Sequence, residues 1–192
     1  MTARDAQAFE RCVAAGGVAV FPADTVYGLA CDPQDAAAVE RMYALKGRRP
    51  DKPAATMFFD LDAALAARPD LPARTRAAVE RLLPGAVTVV LAQGGLRVPR
   101  LEGPLEPLRT VGCAVLQTSA NLAGGPDPTT VSDVPAAIRD GVDLVLDAGP
   151  LPGTPSTVVD LRDYADTGEW RVLREGAMGA DALAQALSSG AR

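Results

Sequence analysis

The sequence predicts an α/β fold built on a mixed sheet, and three observations carry that prediction. Short apolar runs of strand character alternate with amphipathic stretches from one end of the chain to the other. The chain has 192 residues, 48% of them hydrophobic, which suits a sizeable core in a single domain over 1–192. Aromatics make up only 4%, and alanine supplies much of the apolar content, so the core depends on close helix–sheet packing more than on large rings.

The elements follow in order. Residues 2–15 read as a helix, with Thr2 and Asp5 in a capping box and Gly16-Gly17 as its stop. GVAVF is a strand that runs into FPADTVYGLA (21–30), where Gly28 closes a turn. Asp32-Pro33-Gln34-Asp35 reads as a helix start, with cap, first-turn proline and acidic third position. Val39, Met42 and Tyr43 then mark the core face, and Lys46 continues it off the helix end, an odd place for a lysine unless it points into a cleft. Residues 54–59 form a strand, 61–68 and 72–83 helices ended by Pro84-Gly85, and 87–92 and 96–99 strands. Residues 113–117 are a buried strand leading into TSAN, 133–140 a short helix, and 143–147, 156–161 and 170–175 further strands. A last helix covers about 180–188.

Composition excludes several classes of function. A net charge of −5 argues against a protein whose main role is to coat nucleic acid, because that binding rests on Lys and Arg neutralising phosphates. The absence of histidine removes Ser-His-Asp and Cys-His catalysis and His-zinc sites. Three cysteines with no CxxC fit a reducing cytoplasm better than a disulfide framework. The charged N-terminus has no signal-peptide core, and no apolar run approaches a membrane span.

Four constellations could carry chemistry. Asp24, Thr25 and Tyr27 crowd the end of a buried strand, where polar side chains commonly face a ligand. LKGRRPDKP (45–53) sets Lys46, Arg48, Arg49 and Lys52 in seven positions, a loop suited to polyphosphate, although charge alone favours a solvated basic loop. QTSANLAGGPDPTT (117–130) offers Ser119, Asn121 and close backbone approach at Gly124-Gly125, or else an Asx/Ser turn. LPGTPSTVVDL (151–161) brings Ser156 and Thr157 to a strand start. Arg97 and Arg174 interrupt apolar strand patterns, as edge or ion-paired arginines do. Neither a P-loop nor a strand–GxGxxG–helix fingerprint is present.

Taken together, FPADTVYGL, KGRRPDKP, PGAVTVVL, LRVP, TSANLAGGPDPTT, LVLDAGP, and PSTVVDL followed by VLREG resemble the YrdC-like family of L-threonylcarbamoyladenylate synthases. They occur in the family's order over about residues 16–176. The resemblance implies a twisted mixed parallel/antiparallel sheet flanked by helices around a concave basic cavity. It implies synthesis of threonylcarbamoyl-AMP and pyrophosphate from L-threonine, bicarbonate and ATP, with Mg2+ carried on the nucleotide. The product would pass to downstream tRNA threonylcarbamoyl-transfer proteins for N6-threonylcarbamoyladenosine modification, with at most a weak tRNA contact by this chain and no membrane role. Carried over position by position, the family pattern makes Lys46 and Arg48 catalytic. Arg48, Lys52, Ser119, Asn121 and Arg174 fall at ATP, and Thr25, Arg97 and Ser156 at threonine. Asp24, Tyr27 and Gln117 fall on the pocket wall.

Three departures stand out. Met57 occupies the place of a histidine that some members carry near threonine. Only Gln93-Gly94-Gly95 join two strands that relatives connect by a longer segment, and Arg100–Gly112 is short for the helix that precedes TSAN. The extra C-terminal domain of two-domain relatives is not expected here. Two further readings are a non-catalytic binder of structured RNA using the same cavity, and a carbamoyl-phosphate-dependent relative; the latter's zinc-finger-like Cys motifs are absent.

Overall fold

The computed structural model describes residues 1–47 and 54–188. Helix α1 spans Ala3–Ala14 and carries the expected capping box: Asp5 Oδ2 accepts from the Thr2 backbone N–H at 2.7 Å, and the Thr2 hydroxyl accepts from Asp5 N–H. Strand β1 (Ala19–Pro22) pairs antiparallel with β2 (Tyr27–Cys31). The stretch from Tyr27 onward is therefore a strand, and Gly28 lies inside it rather than closing a turn.

Helix α2 (Ala36–Lys46) begins three residues later than a cap at Asp32 would set it. Its cap is Asp35, which accepts from Ala37 and Ala38 N–H, while Asp32 accepts from Gln34 N–H and closes a separate turn. Then follow β3 (Ala55–Met57), α3 (Leu61–Ala66), α4 (Ala73–Leu82), β4 (Val87–Leu91) and β5 (Gly94–Arg97). The short link is a two-residue hairpin, so β5 starts earlier than LRVP. A 3-10 helix, Gly103–Thr110, fills the shortened segment before β6 (Val115–Ser119). The expected 133–140 helix contracts to α5 (Ala136–Arg139), and the 143–147 strand to β7 (Leu144–Val145). Strand β8 (Thr157–Asp160), helix α6 (Tyr164–Thr167), β9 (Arg171–Arg174) and α7 (Ala180–Ser188) complete the order.

Among the described residues the sheet has nine strands in the order β7-β1-β2-β6-β3-β5-β4-β8-β9. Pairing is mixed, with β1–β7, β3–β5 and β4–β8 parallel and the rest antiparallel. The register sorts the side chains onto two faces. One face is covered toward both ends of the sheet: Val20, Tyr27 and Leu29 pack under α2 and α5, and Val87, Val89, Leu96 and Val159 pack under α3, α4 and α7. The other is covered at one end, where Ala19, Phe21, Ala30 and Met57 meet α1 and the 3-10 helix. Met57 is fully buried there beside the Phe9, Phe21 and Phe59 rings. Among the described residues the remainder of that second face is open, and it is the floor of a cleft.

Candidate functional site

The cleft holds about 290 Å³. Its floor comes from alternate positions of successive strands: Ser119 and Gln117 on β6, Ala55 on β3, Gly95 and Arg97 on β5, Thr88 and Val90 on β4, Val158 on β8, and Arg174 on β9. Ser156 enters just before β8. Period-two alternation explains the set, because Val87, Val89 and Leu96 between these positions fill the core on the far side.

Arg97 is the central cation. Its side chain is 4% exposed and pairs with Asp24 at 2.6 Å, itself 8% exposed. The same Nη2 donates to Thr25 Oγ1 at 2.6 Å, and Asp24 Oδ2 also accepts from Arg100 N–H at 2.9 Å. Arg97 Nε is buried with no partner. A buried guanidinium N–H without an acceptor is costly, and a ligand oxygen in the cleft would satisfy it. Asp24 and Thr25 thus hold Arg97 rather than line the cleft. The crowding of polar groups after β1 is explained by this support.

Lys46, the last residue of α2, is 4% exposed. Its ammonium donates to Asn121 Oδ1 at 2.5 Å, Ser119 O at 2.6 Å, Asn121 O at 3.1 Å and Ser119 Oγ at 3.3 Å. Ser119 Oγ donates to Asn121 Oδ1, and Asn121 Nδ2 to Gly125 O. The lysine therefore braces the loop after β6, and Ala123 N–H returns to the Lys46 carbonyl. Gln117, buried, lies over Gly28: a Cβ at Gly28 would stand 2.7 Å from its Nε2, so a larger residue there would push that amide aside. Arg174 Nη2 donates to the Ser156 carbonyl at 2.7 Å and to its hydroxyl at 3.3 Å. Ser156 Oγ is 2.9 Å from Thr88 Oγ1.

Tyr27 does not form pocket wall. As the first residue of β2 it points to the covered face, opposite to Gly28, and is fully buried. Its hydroxyl donates to Asp147 Oδ1 or the Gly149 carbonyl and accepts from Ala148 N–H. Burial pushes its pKa up to about 12. Arg48 and Lys52 lie outside the described residues. Thr88, absent from the residues picked out above for binding, sits on the lining; its signal was a hydroxyl among valines on the open-face phase of β4. Among the described residues no group of three or more His, Cys, Asp or Glu side chains could hold a metal ion, and no helix is long and apolar enough to cross a membrane.

The profile of the Sua5/YciO/YrdC family, described as telomere recombination, matches residues 11–176. A threonylcarbamoyl-AMP synthase from Nitrosococcus oceani is 34% identical over 150 residues, covering 71% of this chain and 81% of that protein. The crystal structure of E. coli YciO superposes with a TM-score of 0.79 at 26% identity, covering 95% of this chain and 94% of that one. P. abyssi Sua5 complexed with L-threonine superposes with a TM-score of 0.82 at 22% identity, covering 97% of this chain and 58% of that one. The mixed sheet flanked by helices is common to these structures.

Proposed function

The chain belongs to the Sua5/YciO/YrdC family, and from that premise we propose that it is a threonylcarbamoyl-AMP synthase, joining L-threonine, bicarbonate and ATP into threonylcarbamoyl-AMP and pyrophosphate. The observation that carries the reading is the convergence of Arg97, Ser156, Arg174, Gln117 and Ser119 on one cleft over a sheet face that the other described residues leave open. Bicarbonate loses water to give CO2, the threonine amine adds to it and releases a proton to leave a carbamate, and the carbamate oxygen attacks the α-phosphate of ATP as pyrophosphate departs. This needs positioning and stabilisation of negative charge, and no histidine base.

In this reading Arg97, aimed by Asp24 and Thr25, takes the threonine carboxylate on its orphan Nε and remaining N–H groups. Ser156 borders the same substrate. Arg174, Ser119 and Asn121 meet the nucleotide, with Lys46 holding the Ser119–Asn121 pair in place. Arg48 and Lys52 are proposed for the phosphates on the family pattern alone, and a basic cavity is an expectation of that pattern that would depend largely on them. Mg2+ would enter on the triphosphate. The Ser119 hydroxyl is the hard oxygen donor type such an ion accepts, and its chemistry there is charge neutralisation of the leaving pyrophosphate. We assign the reaction to the cytoplasm, whose reducing environment suits three free cysteines. The product would serve tRNA threonylcarbamoyl-transfer proteins.

The test is pyrophosphate release from ATP with Mg2+ and bicarbonate, with and without L-threonine, on wild type and Arg97→Met. Threonine-dependent release that Arg97→Met lowers by raising the threonine KM is expected. A folded wild type that releases no pyrophosphate under any condition refutes the synthase and leaves the RNA-binding reading to be tested.

A further inference from the structure

Thr88 Oγ1 and Ser156 Oγ stand 2.9 Å apart, both buried and both on the lining of the cleft. Each hydroxyl has one proton to donate and two lone pairs to offer. One proton bridges the two oxygens. Arg174 Nη2 approaches Ser156 Oγ at 3.3 Å as a donor, so it takes up a lone pair and not the second proton. Among the described residues no acceptor for that second proton is found. Whichever oxygen donates within the pair, one O–H is left for a group in the cleft.

The surroundings define what that group is. Thr88 turns its methyl toward Gly95, where an added Cβ would stand 3.7 Å from it, and its hydroxyl toward Ser156. Val90 follows two residues on along β4, and Val158 pairs with Thr88 across β4–β8; both line the cleft. Extending the Val89–Leu96 register by one step sets Thr88 opposite Arg97. The result is a spare donor and spare lone pairs, flanked by methyl groups and one strand away from a carboxylate-binding cation. A carboxylate can only accept, so it would leave the lone pairs unmatched. A ligand hydroxyl accepts the spare proton and returns one of its own, and a methyl on the same carbon meets the valines.

We propose that Thr88 is a specificity-determining residue of the amino acid subsite: paired with Ser156, it reads the side-chain hydroxyl of the substrate and selects a β-hydroxy amino acid over its deoxy analogue. This rests on the synthase reading above and names a residue that reading does not use.

The test compares wild type, Thr88→Val and Thr88→Ser with L-threonine and with L-2-aminobutyrate, which lacks only the hydroxyl. Pyrophosphate release gives kcat/KM for each amino acid, calorimetry gives their binding, and the KM for ATP serves as reference. Thr88→Val is expected to lower kcat/KM for L-threonine about tenfold, the worth of one hydrogen bond in a buried site, with little change for 2-aminobutyrate or ATP. Thr88→Ser, which restores the hydroxyl, is expected to return the threonine preference. Should Thr88→Val not fold, Thr88→Ala makes the same deletion with less bulk. An unchanged threonine-to-aminobutyrate ratio in the folded variant overturns the role of Thr88 while leaving the synthase intact. A wild type that neither binds nor turns over L-threonine overturns both.

Discussion

Replacing Asp24 by alanine tests how the site is held together. Arg97 and Asp24 face each other at 2.6 Å with side chains 4% and 8% exposed. At an effective dielectric constant of about 20, two unit charges at that separation attract by roughly 6 kcal/mol, and desolvation offsets much of it. Removing one partner is a different matter, because the guanidinium stays buried with Thr25 as its remaining partner and its Nε already unpaired. Losing one member of such a pair costs about 3–5 kcal/mol. In a chain of this size that lowers the melting temperature by about 10 °C. Thermal unfolding at pH 7 measures it, and threonine-dependent pyrophosphate release is expected to show a higher threonine KM with a smaller change in the ATP KM. The double variant Asp24→Ala/Arg97→Met completes a cycle: with the cation gone, deleting Asp24 should cost far less. Strict additivity, or a melting point within about 2 °C of wild type for Asp24→Ala, would refute the argument.

Two further predictions concern parts of the fold outside the cleft. Asp160 is buried and accepts from Arg162 first and Arg171 second, which joins β8 to β9 and holds its carboxyl well below the usual carboxylate range. A depressed folded pKa gives stability that is present above the unfolded value near 4 and lost as pH falls below it. Asp160→Asn should therefore cost about 2 kcal/mol at pH 7 by denaturant unfolding, and the difference from wild type should shrink toward pH 3. Tyr27→Phe removes a hydroxyl bonded to the 147–149 turn and should cost about 1–2 kcal/mol while leaving both substrate KM values unchanged. The phenol's raised pKa means its contribution is constant up to about pH 10 and is lost only as pH climbs through about 12. A shifted threonine KM in Tyr27→Phe would return that residue to the pocket.

Much of the framework was legible from the chain alone. The Thr2–Asp5 box, the strand at 87–91, the helices before Pro84 and near the end, and the order of motifs all follow from caps, turn residues and periodicity, which act over three or four residues. The same local rules misread two places. Asp32-Pro33 has every feature of a helix start, yet Asp35 competes for the same role and wins because its carboxylate reaches two N–H groups of α2. Asp24 to Gly28 looks like a turn because its residues favour turns, but the N–H and C=O groups of Tyr27 to Cys31 find partners on β1 and β6.

Which residues could bear function was also set by the sequence: without histidine the chemistry falls to arginine, lysine, hydroxyl and amide groups, and the motif order points to one family. What each of those side chains does was decided only by the sheet. Arg97 meets Asp24 across 73 positions, Lys46 meets Ser119 across 73, and Thr88 meets Ser156 across 68. No local rule connects residues so far apart. Strand register does, by placing them on the same face, and a shift of one residue would have turned Tyr27 into the cleft and Gly28 away from it.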